Sequence, residues 1–208
     1  MRKTTLAAAA TGATMLGAAA IYYLREKATP GPDYRVLSSE GDLEIRAYPA
    51  ITVAETLVRG QRKAALNQGF EILADYIFAK SRDGEALPMT VPVLQDGGDP
   101  MGSDPPLFDD RVEGGWRIRF VMPEGKTRAN LPVPPQAIEL VEIPARRIGA
   151  VRFAGVAEDD RLAENEDRLR GWLSRREERA EAEAEYAFYN SPMIPPLLRR
   201  SEVLIQLG

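Results

Sequence analysis

Cys and His are both absent from the 208 residues of the chain. That removes thiolate nucleophiles, Cys/His zinc sites and an imidazole base working near neutral pH. Carboxylates, phenols, thioethers and basic groups are left to do chemistry. Glu202, in RRSEVLIQL, alternates away from Val203 and Ile205 and so faces the other side of its strand, where a closed barrel would hold a cleft. A carboxylate there could act as a general base if burial raised its pKa. An Arg–Glu pair with Arg199 or Arg200 at a sheet edge is the plainer alternative. Met89, Met122 and Met193 each lie beside a proline and could line a cleft; with Tyr48 and Tyr76 they are what could still ligate a transition metal. Core filling by Met and a core-edge place for Tyr account for the same residues. The aspartates Asp96, Asp99, Asp104, Asp109 and Asp110 lack the alternate-oxygen spacing and closing Glu of an EF-hand, so their loop is expected to be a solvated, mobile insertion able to act as a lid.

These residues must be positioned by a duplicated framework. Leu43 to Gly60 and Ile138 to Gly155 align without a gap, placing Glu44 on Glu139, Pro49 on Pro144, Ala50 on Ala145 and Gly60 on Gly155. Each copy alternates like two strands broken at the proline. Helical patterns follow at 61–80 and about 158–179, with strands at 89–94, 116–122, 182–188 and 203–207. The expected fold is α+β: a duplicated antiparallel sheet or distorted β-barrel with two packed helices, plus an N-terminal apolar helix. Two similar halves of one fold tend to enclose a ligand, which favours a binding protein over a catalyst. The stripe Leu66, Phe70, Leu73 and Ile77 on the first helix is the candidate wall for a flat apolar ligand. Arg62 and Lys63 at its start, or Lys80 and Arg82 at its end, are candidates to meet ligand carboxylates. The same stripe would also simply seat the helix on the sheet.

Residues 1–27 read as a membrane anchor or a signal peptide. Arg2 and Lys3 precede 21 uncharged residues, 4–24, closed by Arg25, Glu26 and Lys27. Tyr22 and Tyr23 resemble an interfacial belt and favour a retained transmembrane anchor; cleavage near Ala18–Ala20 is the alternative. The body is then expected outside the cytoplasm, in the cell envelope or periplasm. Residues 28–33, ATPGPD, form a turn-rich linker, and 34–208 are expected to make one domain. The formal charge is −4, and the body without its basic leader is more acidic still, which argues against nucleic acid as a partner.

Five segments, in this order and spacing, resemble the SOUL family of haem-binding proteins: LEIRAYPAITVAET, LPMTVPVL, WRIRFVMP, VEIPARRIGAVRFAG and YNSPMIPPLLRRSEVLIQL. The resemblance covers about residues 34–208. It implies a duplicated barrel with a helix on each half, and binding of tetrapyrroles such as haem and protoporphyrin. It also implies likeness to bacterial small-molecule and drug-binding domains of the same design. The family's axial-histidine position falls on Ala47, its propionate-facing basic positions on Asn67, Asp75 and Ile194, and its apolar helix partner on Phe70. Together these lead to a non-catalytic tetrapyrrole carrier that holds haem or another porphyrin loosely, without a His or Cys ligand. Its expected site is Leu66, Phe70, Leu73, Ile77, Met89, Met193 and Arg62. Two other readings stand beside it: a small-molecule-binding domain or weak hydrolase using Glu202 with a nearby Tyr, and an envelope protein that binds nothing tightly.

Overall fold

A computed structural model describes residues 22–97 and 115–208. The strands are β1 (Arg35–Glu40), β2 (Leu43–Tyr48), β3 (Ile51–Arg59), β4 (Val93–Gly97), β5 (Gly115–Val121), β6 (Glu139–Ile143), β7 (Arg146–Ala154), β8 (Glu185–Phe188) and β9 (Arg200–Leu207). Helix α1 (Arg62–Ile77) follows β3, and α2 (Asp159–Arg175) follows β7. All nine strands form one antiparallel sheet in the order β1-β2-β7-β9-β8-β4-β5-β3-β6. With β1 and β6 at its edges, the sheet curls into a half-barrel that stays open.

The order carries the duplication seen in the sequence. Leaving out β1, it reads the same when the repeats are exchanged, so a pseudo-two-fold axis runs between β4 and β8. The first strand of each repeat does not pair with the second strand of its own repeat, although β2 also carries β1 on its outer edge. β2 pairs with β7 of the second half, and β6 pairs with β3 of the first. The matched glycines close the second strand of each repeat: Gly60 at φ +116 and Gly155 at φ +104, a region that costs other residues dearly.

Alternation along the strands separates two faces. One face carries the helices. Ala65, Leu73 and Ile77 of α1 join a cluster with Ala54, Val58, Ile118 and Phe120. Leu162, Leu169, Trp172 and Leu173 of α2 join Ile45, Val151, Phe153, Val203 and Ile205. The other face buries Val53, Leu94, Val121, Ile148, Ala150, Ala187 and Leu204, drawn from both halves.

Several expectations need correction. The strand expected at 89–94 begins at Val93; β4 is bonded on both sides, and Pro92 has no N–H to give. Asp96 belongs to β4 and not to a solvated loop, while Asp99, Asp104, Asp109 and Asp110 lie outside the described residues. Within the strand expected at 182–188, Glu185 is buried on the face opposite the helices. Most of the 4–24 segment also lies outside the described residues, among which no helix is long and apolar enough to cross a membrane. The linker does not run free, since Pro30 accepts a hydrogen bond from the Val91 N–H.

Candidate functional site

β9 lies inside the sheet, between β7 and β8, so Glu202 is not at a sheet edge as the plainer reading had it. The side chain is fully buried on the face away from the helices. Arg46 of β2 reaches it with two N–H groups at 2.7 and 3.1 Å. Arg200 supplies two more at 3.0 and 2.6 Å, and the Tyr189 hydroxyl donates at 2.8 Å. Five donors saturate both carboxylate oxygens. Burial alone would raise the Glu202 pKa, but hydrogen bonds and charge from Arg46 and Arg200 outweigh it and hold the carboxyl below its ordinary value. A general base needs a free lone pair and a raised pKa. Glu202 has neither, and its role is to fix Arg46, Tyr189 and Arg200 in place.

These groups carry an aromatic lining. Arg46, itself buried, lies 4.4 Å from the centre of the Tyr34 ring, and Arg200 lies 3.9 Å from that of Tyr189. Tyr34 and Tyr48 pack with ring centres 5.0 Å apart. Burial pushes the Tyr48 phenol up to about 12 and raises Tyr189 well above its usual range, so both stay protonated at neutral pH. Beside them opens a cleft of about 360 Å³. Tyr34, Tyr48 and Tyr189 line it with the cations Lys27, Arg152 and Arg200, and Tyr23, Glu26 and Leu198 are also among its lining residues.

The first half holds a charge cluster of the opposite sense on the same face. By strand register, Arg117 occupies the place in β5 that Glu202 occupies in β9. Arg117 and Arg119 pair with Glu55 and Asp96, and Glu185 pairs with Arg119 and Arg146. Burial raises the Asp96 pKa, with the charge of Glu185 adding to it against the pull of Arg119. The cleft opens in the other half, where Tyr48, Tyr189 and Arg200 line it.

Apart from Glu202 and Tyr48, the residues singled out from sequence do not converge on this cleft. Leu73 is 0% and Ile77 2% exposed, so both are spent in seating α1. Leu66 and Met89 are half-buried against the same cluster. Phe70 remains 41% exposed, edge-on to Phe120 at 5.3 Å. Met193 stands 79% exposed, while Met122 is buried in the helix-side core. Arg62 is not at a pocket mouth. It is buried and ties the two helix starts together through Asp159, the Ala157 carbonyl and Gln95. Tyr76 is buried and donates to the Pro132 carbonyl. The pairing of Glu202 with Arg200 was anticipated, but Arg46 and Tyr189 were missed, although alternation in LEIRAY does place Glu44, Arg46 and Tyr48 on one face.

For a tetrapyrrole, this lining suits the organic part. Its tyrosines are the groups that would pack on the macrocycle, and its three cations those that would pair with the carboxylates. The chain has no His or Cys for the iron, and no group of three or more metal-binding side chains occurs among the described residues.

Three solved structures share the fold. The C-terminal domain of EcmrR is 12% identical with a TM-score of 0.56, covering 84% of this chain and 98% of that one. EcmrR in its DNA complex is 11% identical with a TM-score of 0.57, covering 99% of this chain and 68% of that one. A hydrolase from Listeria innocua is 10% identical with a TM-score of 0.52, covering 83% and 94%. Identities this low speak to architecture alone. None of the curated proteins matches the chain in sequence. The family model described as SOUL heme-binding protein matches residues 29–206, nearly the whole described body, and the chain belongs to the SOUL haem-binding family.

Proposed function

We propose that the protein is a non-catalytic carrier or buffer of tetrapyrroles, held at a membrane or exported across it by residues 4–24. The observation that carries the binding reading, within a haem-binding family, is the cleft of four tyrosines and three cations beside Glu202. The helix face of Leu66 and Phe70 is the second candidate wall, reduced by the burial of Leu73 and Ile77. The 21 uncharged residues after Arg2 and Lys3 support the tether and, with it, a body outside the cytoplasm. A hydrolase built on Glu202 gains no support from a carboxylate held charged and fully bonded.

Titrating haem and iron-free protoporphyrin into the full chain tests the binding reading. Both are expected to bind with similar, roughly micromolar strength, about 8 kcal/mol, because ring contact supplies most of the energy. Tyr34→Ala should weaken both by about 0.5–1.5 kcal/mol. Phe70→Asp should leave both nearly unchanged; an equal loss there would move the site to the helix wall. Haem binding far tighter than protoporphyrin would reveal an iron ligand, with Met or Tyr first in line. Absence of binding by both overturns the reading.

A further inference from the structure

Between β8 and β9 the chain runs through SPMIPPLLR, 191–199, and shows its apolar side chains to the outside. Met193 is 79%, Leu197 86% and Leu198 48% exposed, whereas Ile194 alone turns inward at 2%. Such a display is unusual for a loop in water. The loop is also internally bonded. Met193 donates to the Ser191 hydroxyl, Ile194 to the Ser191 carbonyl, Leu198 to Pro195 and Arg199 to Pro196. The Arg199 side chain donates to the Ile194 and Pro192 carbonyls at 2.7 and 2.6 Å. Three prolines, Pro192, Pro195 and Pro196, bring no N–H at all. Four of the six backbone N–H groups of 191–199 are met within the loop while apolar side chains face outward, which lowers the cost of entering lipid.

The loop is fastened to the end of the apolar leader. Tyr22 shares a hydrogen bond with Ser191 at 3.0 Å, and Glu26 accepts from the Asn190 amide and the Ser191 N–H. Residues 22–27 are helical, with Leu24 61% exposed beside the basic residues Arg25 and Lys27. We infer that the 191–198 loop is a membrane-seated wedge: Met193, Leu197 and Leu198 enter the lipid leaflet from which residues 4–24 emerge. The inference rests on the tether proposed above. It also sets the cleft at the lipid surface, because Tyr23 and Leu198 belong both to this apolar edge and to the cleft lining. A flat, carboxylate-bearing ligand dissolved in the leaflet would then meet the cleft directly.

The test uses the full chain reconstituted in vesicles of phosphatidylcholine and phosphatidylglycerol, with and without brominated phosphatidylcholine. Leu197→Trp and Met193→Trp each place a reporter at an exposed position. Leu57→Trp, also exposed but towards the far end of the sheet, is the control. Emission is read as the difference from the parent, which has two tryptophans of its own. The expected result is a blue shift at 193 and 197 and loss of most of their emission to bromine, with Leu57→Trp unaffected. A chain that floats with the vesicles while both reporters stay unquenched overturns the wedge and leaves the tether standing. A chain that does not float removes the tether and the wedge together. A blue shift that grows with protein concentration, without quenching, would make the loop a contact between copies and would also overturn the inference.

Discussion

At the scale of residues, the Arg46–Glu202–Arg200 cluster governs how the second half responds to pH and to mutation. A buried carboxylate between two guanidiniums is costly to break from one side, since the remaining charges stay buried and unmatched. Glu202→Gln should therefore cost about 3–5 kcal/mol in urea unfolding and loosen Tyr189 and Arg200 at the cleft. The pH dependence follows from the depressed carboxyl. Its contribution is fully present above the ordinary value of 4.5 and is lost as pH falls through the lower folded-state value. Asp96 works the other way: its raised pKa opposes folding when charged, and protonation on acidification relieves that penalty. Urea midpoints measured from neutral pH down to about pH 3 should show a shallower acid decline in Glu202→Gln than in the parent. An unchanged decline would mean that other carboxylates dominate. The position of Glu202 on the inner face was readable from alternation alone. Its partner Arg46 was not, because β2 and β9 are joined only through β7, and no local pattern announces a contact across 156 residues.

At the scale of elements, each helix sits on the sheet through one glycine, but from opposite sides of the contact. In the first half it is on the helix: a Cβ at Gly69 would stand 2.7 Å from Ile118 of β5. In the second half it is on the strand: a Cβ at Gly149 would stand 2.9 Å from Leu173 of α2. Helix propensity favours alanine over glycine by about 1 kcal/mol, so Gly69→Ala would stabilise an isolated helix. Here the overpacking should win, with a net loss of about 1–3 kcal/mol and a shifted environment for Phe120, measurable by urea unfolding and near-UV dichroism. Net stabilisation would show that α1 can lift away freely. Both helices and both strand pairs of the repeat were legible, since 3.6- and 2-residue periods report burial directly. The α1 stripe illustrates the limit: the same spacing serves a core and a ligand wall, and Leu73 and Ile77 went to the core. Arg62 shows the same limit among charges, because its partner Asp159 starts the other helix.

At the scale of the whole molecule, the exchanged strands make the halves depend on each other. Without the second half β2 keeps only β1, and without the first β6 has no partner. Fragments divided between Val121 and Glu139 should each lack a cooperative unfolding transition and recover it when mixed; a monomeric fragment with native-like secondary structure would contradict this. The exchange also orders events during synthesis. Leu43 meets its partner Val151 only after more than half the chain has been made, so the first repeat leaves the ribosome with β2 still waiting and one edge of β3 bare. Edges of that kind invite wrong pairings. A chain of this topology is therefore kept from finishing its sheet until translation is well into its second repeat, which prolongs the interval in which a chaperone or a translocation channel can still take hold of it.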